Sequence, residues 1–192
     1  MREFTINFAE PQPMSNSDGY DARAVANAIL DVCDQQSFYL SNMALQKVVY
    51  FCHMHSIVER DLPLVKHEFE AWEHGPVVGY LYREFKSFGS NRITDRALAL
   101  DLSTGNKAKA TAIFDDQTTA LISKYASLYG RVSAFHLSDL SHTEDGPWHT
   151  VWNHRGKINP GMRISNDAIK SFYKPMHTRP DSLNASPERR TP

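Results

Sequence analysis

The sequence predicts a mainly α protein of the α+β class: one compact helical domain carrying a small antiparallel sheet. Three observations lead there. Several stretches place apolar residues three and four apart, the spacing of a buried helix face. One stretch, Val65 to Ala71, instead alternates apolar and polar residues, the period of a half-buried strand. The chain has 192 residues, enough for one domain with a proper core.

Residues 1–19 read as a flexible segment, rich in Pro, Ser, Asn and Gly. Within it Phe4, Ile6 and Phe8 alternate with polar residues, as a short strand or a docking segment would. A first helix begins from Tyr20, with Asp21 as an N-cap, and Val25, Ala28, Ile29 and Val32 form its apolar face to about Gln35 or Gln36. Ser41 caps a second helix. Leu45, Val48, Val49 and Cys52 recur at helical spacing, and Tyr50, Phe51 and Met54 widen that face. So wide a face implies neighbours on several sides, which makes this the central helix.

Val65, His67, Phe69 and Ala71 then form one face of a strand, antiparallel or at an edge. Gly75-Pro76 breaks it, with Pro76 placed as the first residue of a third helix. Val78, Leu81, Tyr82, Phe85 and Phe88 line that helix, and Gly89 ends it. Ile93, Leu98, Leu100 and Leu102 suggest one or two short strands, with a turn at residues 103–106. A helix from Asp116 to Tyr129 turns Leu121, Tyr125 and Leu128 inward and stops at Gly130. Ser133 to Leu140 is a short helix with Phe135, Leu137 and Leu140 apolar. Trp148, Val151 and Trp152 cluster behind Gly146-Pro147. Ser165 caps a last helix through Tyr173, with Ala168, Ile169 and Phe172 on its core side. The domain thus covers residues 20–174, and residues 175–192 read as a disordered tail.

Composition narrows the function. There are 21 basic and 22 acidic residues, a formal net charge of -1, which argues against binding nucleic acid by bulk positive charge. No apolar run has the length of a membrane span, and the first residues lack the apolar core of a signal peptide. Cys33 and Cys52 each lie in an apolar helical pattern and read as buried thiols, which suits a reduced cytoplasm.

The chemistry is quiet, and no catalytic, cofactor or metal residue is expected. His53 and His55 are two apart on a helix and diverge. There is no HExxH and no Cys pair at finger spacing. His142, His149 and His154 would converge only if their turn folded back; local hydrogen bonding and exposure are the simpler reading. Glu68 and Glu70 share a strand face with Glu73 nearby, as a solvated face or, alternatively, an acidic docking surface. Ser133, Ser138 and Ser141 lie near His136 and His142, a proximity common by chance. No Gly-rich phosphate loop and no GxSxG is present. Trp72 and Trp148 each adjoin a Gly-Pro pair and a histidine, His74 and His149, and each is either scaffold or an interface anchor.

Several of these stretches resemble the Panacea-domain family, the SocA-like antitoxins. Leu45-Gln46-Lys47-Val48-Val49-Tyr50-Phe51 resembles the Leu-Gln-Lys-apolar-apolar-Tyr element of the family's second helix. Phe69-Glu70-Ala71-Trp72-Glu73-His74-Gly75-Pro76-Val77-Val78 resembles its Glu-Ala-Trp-x-x-Gly-Pro-Val signature, continued by Tyr82 and Phe85-Lys86. Leu140-Ser141-His142-Thr143-Glu144-Asp145-Gly146-Pro147-Trp148 resembles a Leu-(Ser/Thr)-His-x-Glu-x-Pro-Trp pattern, with an extra residue between Glu144 and Pro147. Ile164 to Tyr173 resembles the closing helix. The resemblance spans about residues 22–174.

The resemblance implies an antitoxin that neutralises a cognate toxin by direct protein binding, without catalysis. It implies no cofactor. Gln46, Lys47, Tyr50, Glu70, Trp72, His74, Gly75, Pro76, His142 and Trp148 are then family-signature positions and candidate partner contacts. Two alternatives follow. One is an adaptor delivering the toxin to a ClpXP-type protease, as one member of the family does. The other is a hydrolase with a site near His142 and Glu144. Other members are phage or prophage proteins.

Overall fold

In the computed structural model, which describes residues 17–101 and 104–177, the helices begin where their cap residues stand. Helix α1 spans Ala22–Gln35, and the Asp21 carboxylate accepts from the Arg23 amide at 2.9 Å. Helix α2 spans Asn42–Arg60, with Ser41 Oγ accepting from the Ala44 amide. The first amides of a helix have no intrahelical acceptor, and these side chains supply one.

Helix α2 is the centre of the molecule, as its wide apolar face predicts. Fifteen of its 19 residues are buried. It packs against α1 and against α4 (Asp116–Tyr129), α5 (Ala134–Ser141) and α7 (Asn166–His177). Cys33 and Cys52 are buried free thiols, as expected, and burial pushes the Cys33 thiol up to about 11.

The sheet differs in detail from the expectation. Strand β1 is Phe69–Trp72, and it lies between β2 (Gly75–Val77) and β5 (Arg163–Ile164), antiparallel to both. It is therefore central, not an edge. The alternation from Val65 is real, because Val65, Phe69 and Ala71 are buried while Lys66 and Glu68 are exposed. Its first part pairs elsewhere: Val65 bridges Tyr20 in parallel, and the Lys66 amide donates to the Tyr20 carbonyl at 3.0 Å.

Pro76 does not open a helix. It sits in β2, opposite Ala71. On an edge strand the missing N–H of a proline costs no ladder bond. Helix α3 begins later, at Gly79, and runs to Glu84. A 3-10 turn at Lys86–Phe88 follows, and Gly89 ends it at a φ of 55°, as its position suggests.

Leu98–Leu100 (β3) and Lys107–Lys109 (β4) form an antiparallel hairpin. Ile93 is buried outside it, its amide bonded to the Leu40 carbonyl; Leu102 and part of the expected turn lie outside the described residues. Asp115 caps α4 through the Thr118 amide and Ser133 caps α5 through the His136 amide. Leu128, expected inward, faces solvent, and so do Phe135 and Leu140 of the apolar α5 set. Leu137 alone of the α5 set is buried. Helix α6 spans Pro147–Trp152. Ser165 caps α7, which continues through Pro175 to His177 instead of stopping at Tyr173. The flexible segment and the tail expected at the two ends fall mainly on residues 1–16 and 178–192, outside the described residues. Among the described residues no helix is long and apolar enough to cross a membrane.

Candidate binding site at the Trp72 turn

Two amides one turn apart on α2 start the site. Asn42 Nδ2 donates to the Tyr82 carbonyl at 2.9 Å, and Gln46 Oε1 accepts from the Val78 amide at 3.1 Å. Gln46 Nε2 donates to Asn42 Oδ1 at 3.3 Å. These side chains satisfy the Val78 amide at the β2–α3 junction and the Tyr82 carbonyl within α3. A buried amide or carbonyl left unpaired would be destabilising by about 1–3 kcal/mol.

Lys47 stands beside them and donates from Nζ to the Pro76 carbonyl at 2.9 Å. It is 1% exposed, and burial pulls its ammonium down to about 7. Tyr50, one turn on, is fully buried and packs edge-on against Phe69 with ring centroids 5.2 Å apart. Burial pushes its hydroxyl well above the usual tyrosine range. Gln46, Lys47 and Tyr50 thus form the inner support of the sheet and its turn.

The turn joins β1 to β2 through Glu73 and His74, both exposed. Gly75 has a φ of 99°, in the region that favours glycine, and the space above its Cα is taken. A Cβ there would collide with Ser141 Oγ and lie 2.8 Å from Lys47 Cε. Trp72 is half-buried; its Nε1 donates to Glu70 Oε2 at 2.8 Å and its ring meets Tyr82 at 5.0 Å. The Glu70 carboxylate lies where a Cβ on Gly79 would fall, 2.8 Å from Oε1.

The second tryptophan turn locks onto the first. Trp148 Nε1 donates to the Trp72 carbonyl at 2.8 Å. Its ring stacks on His142 at 3.7 Å and on Trp152 at 5.5 Å. Ser138 Oγ donates to the His74 carbonyl at 2.9 Å, and Ser141 Oγ donates to the Ser138 carbonyl at 2.7 Å. The structure therefore brings together Gln46, Lys47, Glu70, Trp72, Gly75, Pro76, His142 and Trp148. Tyr50 lies beneath them, and His74 is exposed on the turn.

The other candidates do not converge. Glu68 pairs with Arg163 at 2.6 Å, Glu70 is bonded to Trp72, and Glu73 is exposed. Among the described residues no hydrogen bond or ion pair joins His142 to Glu144, Glu70 or Glu73. Burial holds the His142 imidazole below its ordinary value, and its Nε2 is buried without a partner. His149 Nδ1 accepts from the Asp145 amide at 3.2 Å, and His154 is exposed. Among the described residues no group of His, Cys, Asp and Glu could hold a metal ion.

Beside the turn is a cavity of about 290 Å³. Met43, Gln46, Lys47, Trp72, Val77 and Tyr82 form much of its wall, and Glu73, His74 and Lys86 line it as well. Asn42 and Met43 carry part of this site and were not singled out from sequence. Asn42 and Gln46 at i and i+4 were the available signal, two amides on a helix otherwise apolar on most sides.

The family model described as "Antitoxin SocA-like, Panacea domain" matches residues 45–149, from α2 to α6. The chain is 35% identical over 165 residues to "Antitoxin SocA" of Caulobacter vibrioides (strain NA1000 / CB15N), covering 85% of this chain and 88% of that protein. No solved structure matches. With the matched segment containing both tryptophan turns and the helix that supports them, the chain belongs to the SocA-like antitoxin family, the Panacea-domain proteins.

Proposed function

We propose that the protein is an antitoxin that neutralises a cognate protein toxin by binding it directly. One observation carries the reading: the similarity to a protein named as an antitoxin extends along 85% of this chain and 88% of that one. The two chains share the unit as a whole, not a fragment of it. The geometry is compatible with a recognition role. The signature side chains direct their polar atoms to the scaffold itself, Gln46 to Val78, Lys47 to Pro76 and Trp148 to Trp72. Such a scaffold holds a turn and a cavity in fixed shape, and preorganisation lowers the ordering cost of association.

In this reading residues 20–174 are the binding module, it acts in the cytoplasm, and its partner is the toxin. Masking a toxin stably calls for about 1,000 Å² or more of total interface. The test is co-expression with the product of the adjacent open reading frame. Rescue of growth together with co-purification of a complex is the expected result. Toxicity unrelieved by the antitoxin would contradict the proposal. Rescue that disappears in a strain lacking the host protease would replace masking by an adaptor role.

A further inference from the structure

The cavity beside the Trp72 turn is lined by a buried lysine without a counter-ion. An ammonium has three donors, and among the described residues Lys47 Nζ makes one hydrogen bond, to the Pro76 carbonyl. No carboxylate of the described residues pairs with it, although the chain pairs lysines and arginines with acids at many other places. Burying an ammonium with its shell incomplete is costly, and a partner carboxylate offsets that cost.

The surroundings suit such a partner. Met43 and Val77 supply aliphatic wall, and Trp72 and Tyr82 supply two aromatic faces. The charged groups lining the cavity are Lys47, Lys86 and Glu73, with His74 beside them. Two cations against one carboxylate leave an excess of positive charge. The volume of about 290 Å³ is at the lower limit of small-molecule sites, which run from about 300 to 1,000 Å³. It matches one or two side chains better than a cofactor.

We propose that this cavity receives an acidic side chain of the protein partner, its carboxylate directed to Lys47 and its methylenes lying against Trp72 and Tyr82. The identity of the partner rests on the antitoxin reading; the chemistry of the cavity does not. Burial of the unpaired ammonium, which pulls it down to about 7, agrees with a site that gains by acquiring an anion. Apolar contact in a desolvated pocket around one charge pair is the usual make-up of an interface hot spot.

The experiment has two arms. In the first, the full chain is titrated with N-acetyl-glutamate methylamide and, separately, with N-acetyl-glutamine methylamide, following the Trp72 indole and Val77 amide signals by NMR. The expected result is a saturable response to the glutamate compound that exceeds the glutamine response, and that Lys47→Met removes. No response to glutamate, equal responses to the two compounds, or a full response in Lys47→Met overturns the proposal. The wild-type comparison needs no variant, so it decides even if Lys47→Met fails to fold.

In the second arm the purified toxin is bound to wild type and to Lys47→Met, with folding of the variant checked by thermal unfolding. Removing one member of a buried charge pair should weaken binding by about thirtyfold or more. Unchanged affinity with an intact fold overturns the proposal. If the toxin does not bind the wild-type chain at all, the antitoxin reading fails, and the first arm still decides the chemistry of the cavity.

Discussion

Lys47 shows how a residue type that normally faces water is drawn into a core. It lies on α2 between Gln46 and Val48, and its burial was not legible in a sequence where lysines are otherwise surface residues. Its ammonium is held at about 7 by burial, against about 10.4 in an unfolded chain. Between those values the unfolded state binds more protons than the folded one. Stability from this group therefore rises with pH from about 7 towards 10, by up to about 1.4 kcal/mol per unit, and the penalty is fully present below 7. Urea unfolding at pH 7 and pH 9 should show the rise in wild type and a smaller one in Lys47→Met. The two tryptophans, left open between scaffold and anchor by sequence, separate by burial. Trp148 is 6% exposed, donates to the Trp72 carbonyl, and stacks on two rings, whereas Trp72 is half-buried. Trp148→Ala should cost about 3–5 kcal/mol, and Trp72→Ala should cost less. Equilibrium denaturation of the two variants checks the order.

Among the elements, those with caps and a 3.6 period were legible: α1, α2 and α4 start within two residues of their expected positions. Strand β2 was not. Gly75, Pro76 and Val77 show no alternation, all three are buried, and a Gly-Pro pair reads as a break. Its pairing with β1 and its support by Gln46 and Lys47 come from tertiary contacts that no local pattern encodes. For the same reason Phe135 and Leu140 on α5 face solvent despite an apolar sequence. The strain at Gly75 makes a prediction for β2: Gly75→Ala combines a φ of 99° with collision against Ser141 and Lys47. It should cost about 1–3 kcal/mol from the backbone alone, read as a fall in the unfolding midpoint. Helix α2 makes another. His53 Nδ1 accepts from the Val65 amide at 3.1 Å and its Nε2 is 2.9 Å from Asn166 Oδ1, an arrangement that fits the neutral ring. His55 stacks on Tyr125 at 3.5 Å. Burial holds both imidazoles at about 4, against about 6.5 unfolded. The unfolded state takes up protons first, so stability should be lost as pH falls from about 6.5 to 4, by up to about 1.4 kcal/mol per unit for each. Thermal unfolding across that range, compared with His53→Asn, measures it.

At the scale of the molecule, one central helix supports a turn, a second turn locks onto the first, and a cavity lined by a buried lysine opens beside them. The two tryptophan segments were legible as family signatures. Their junction was not, because the bond from Trp148 to the Trp72 carbonyl joins residues 76 apart in sequence. The proposed activity needs no group that makes or breaks bonds; it needs this shape held ready for a partner. Its most direct test is calorimetric titration of the purified protein with the product of the adjacent open reading frame, using a catalytically inactive form of that product if it is toxic. A stoichiometric complex with a dissociation constant in the nanomolar range is predicted. Absence of binding, while co-expression still relieves toxicity, would contradict neutralisation by direct binding.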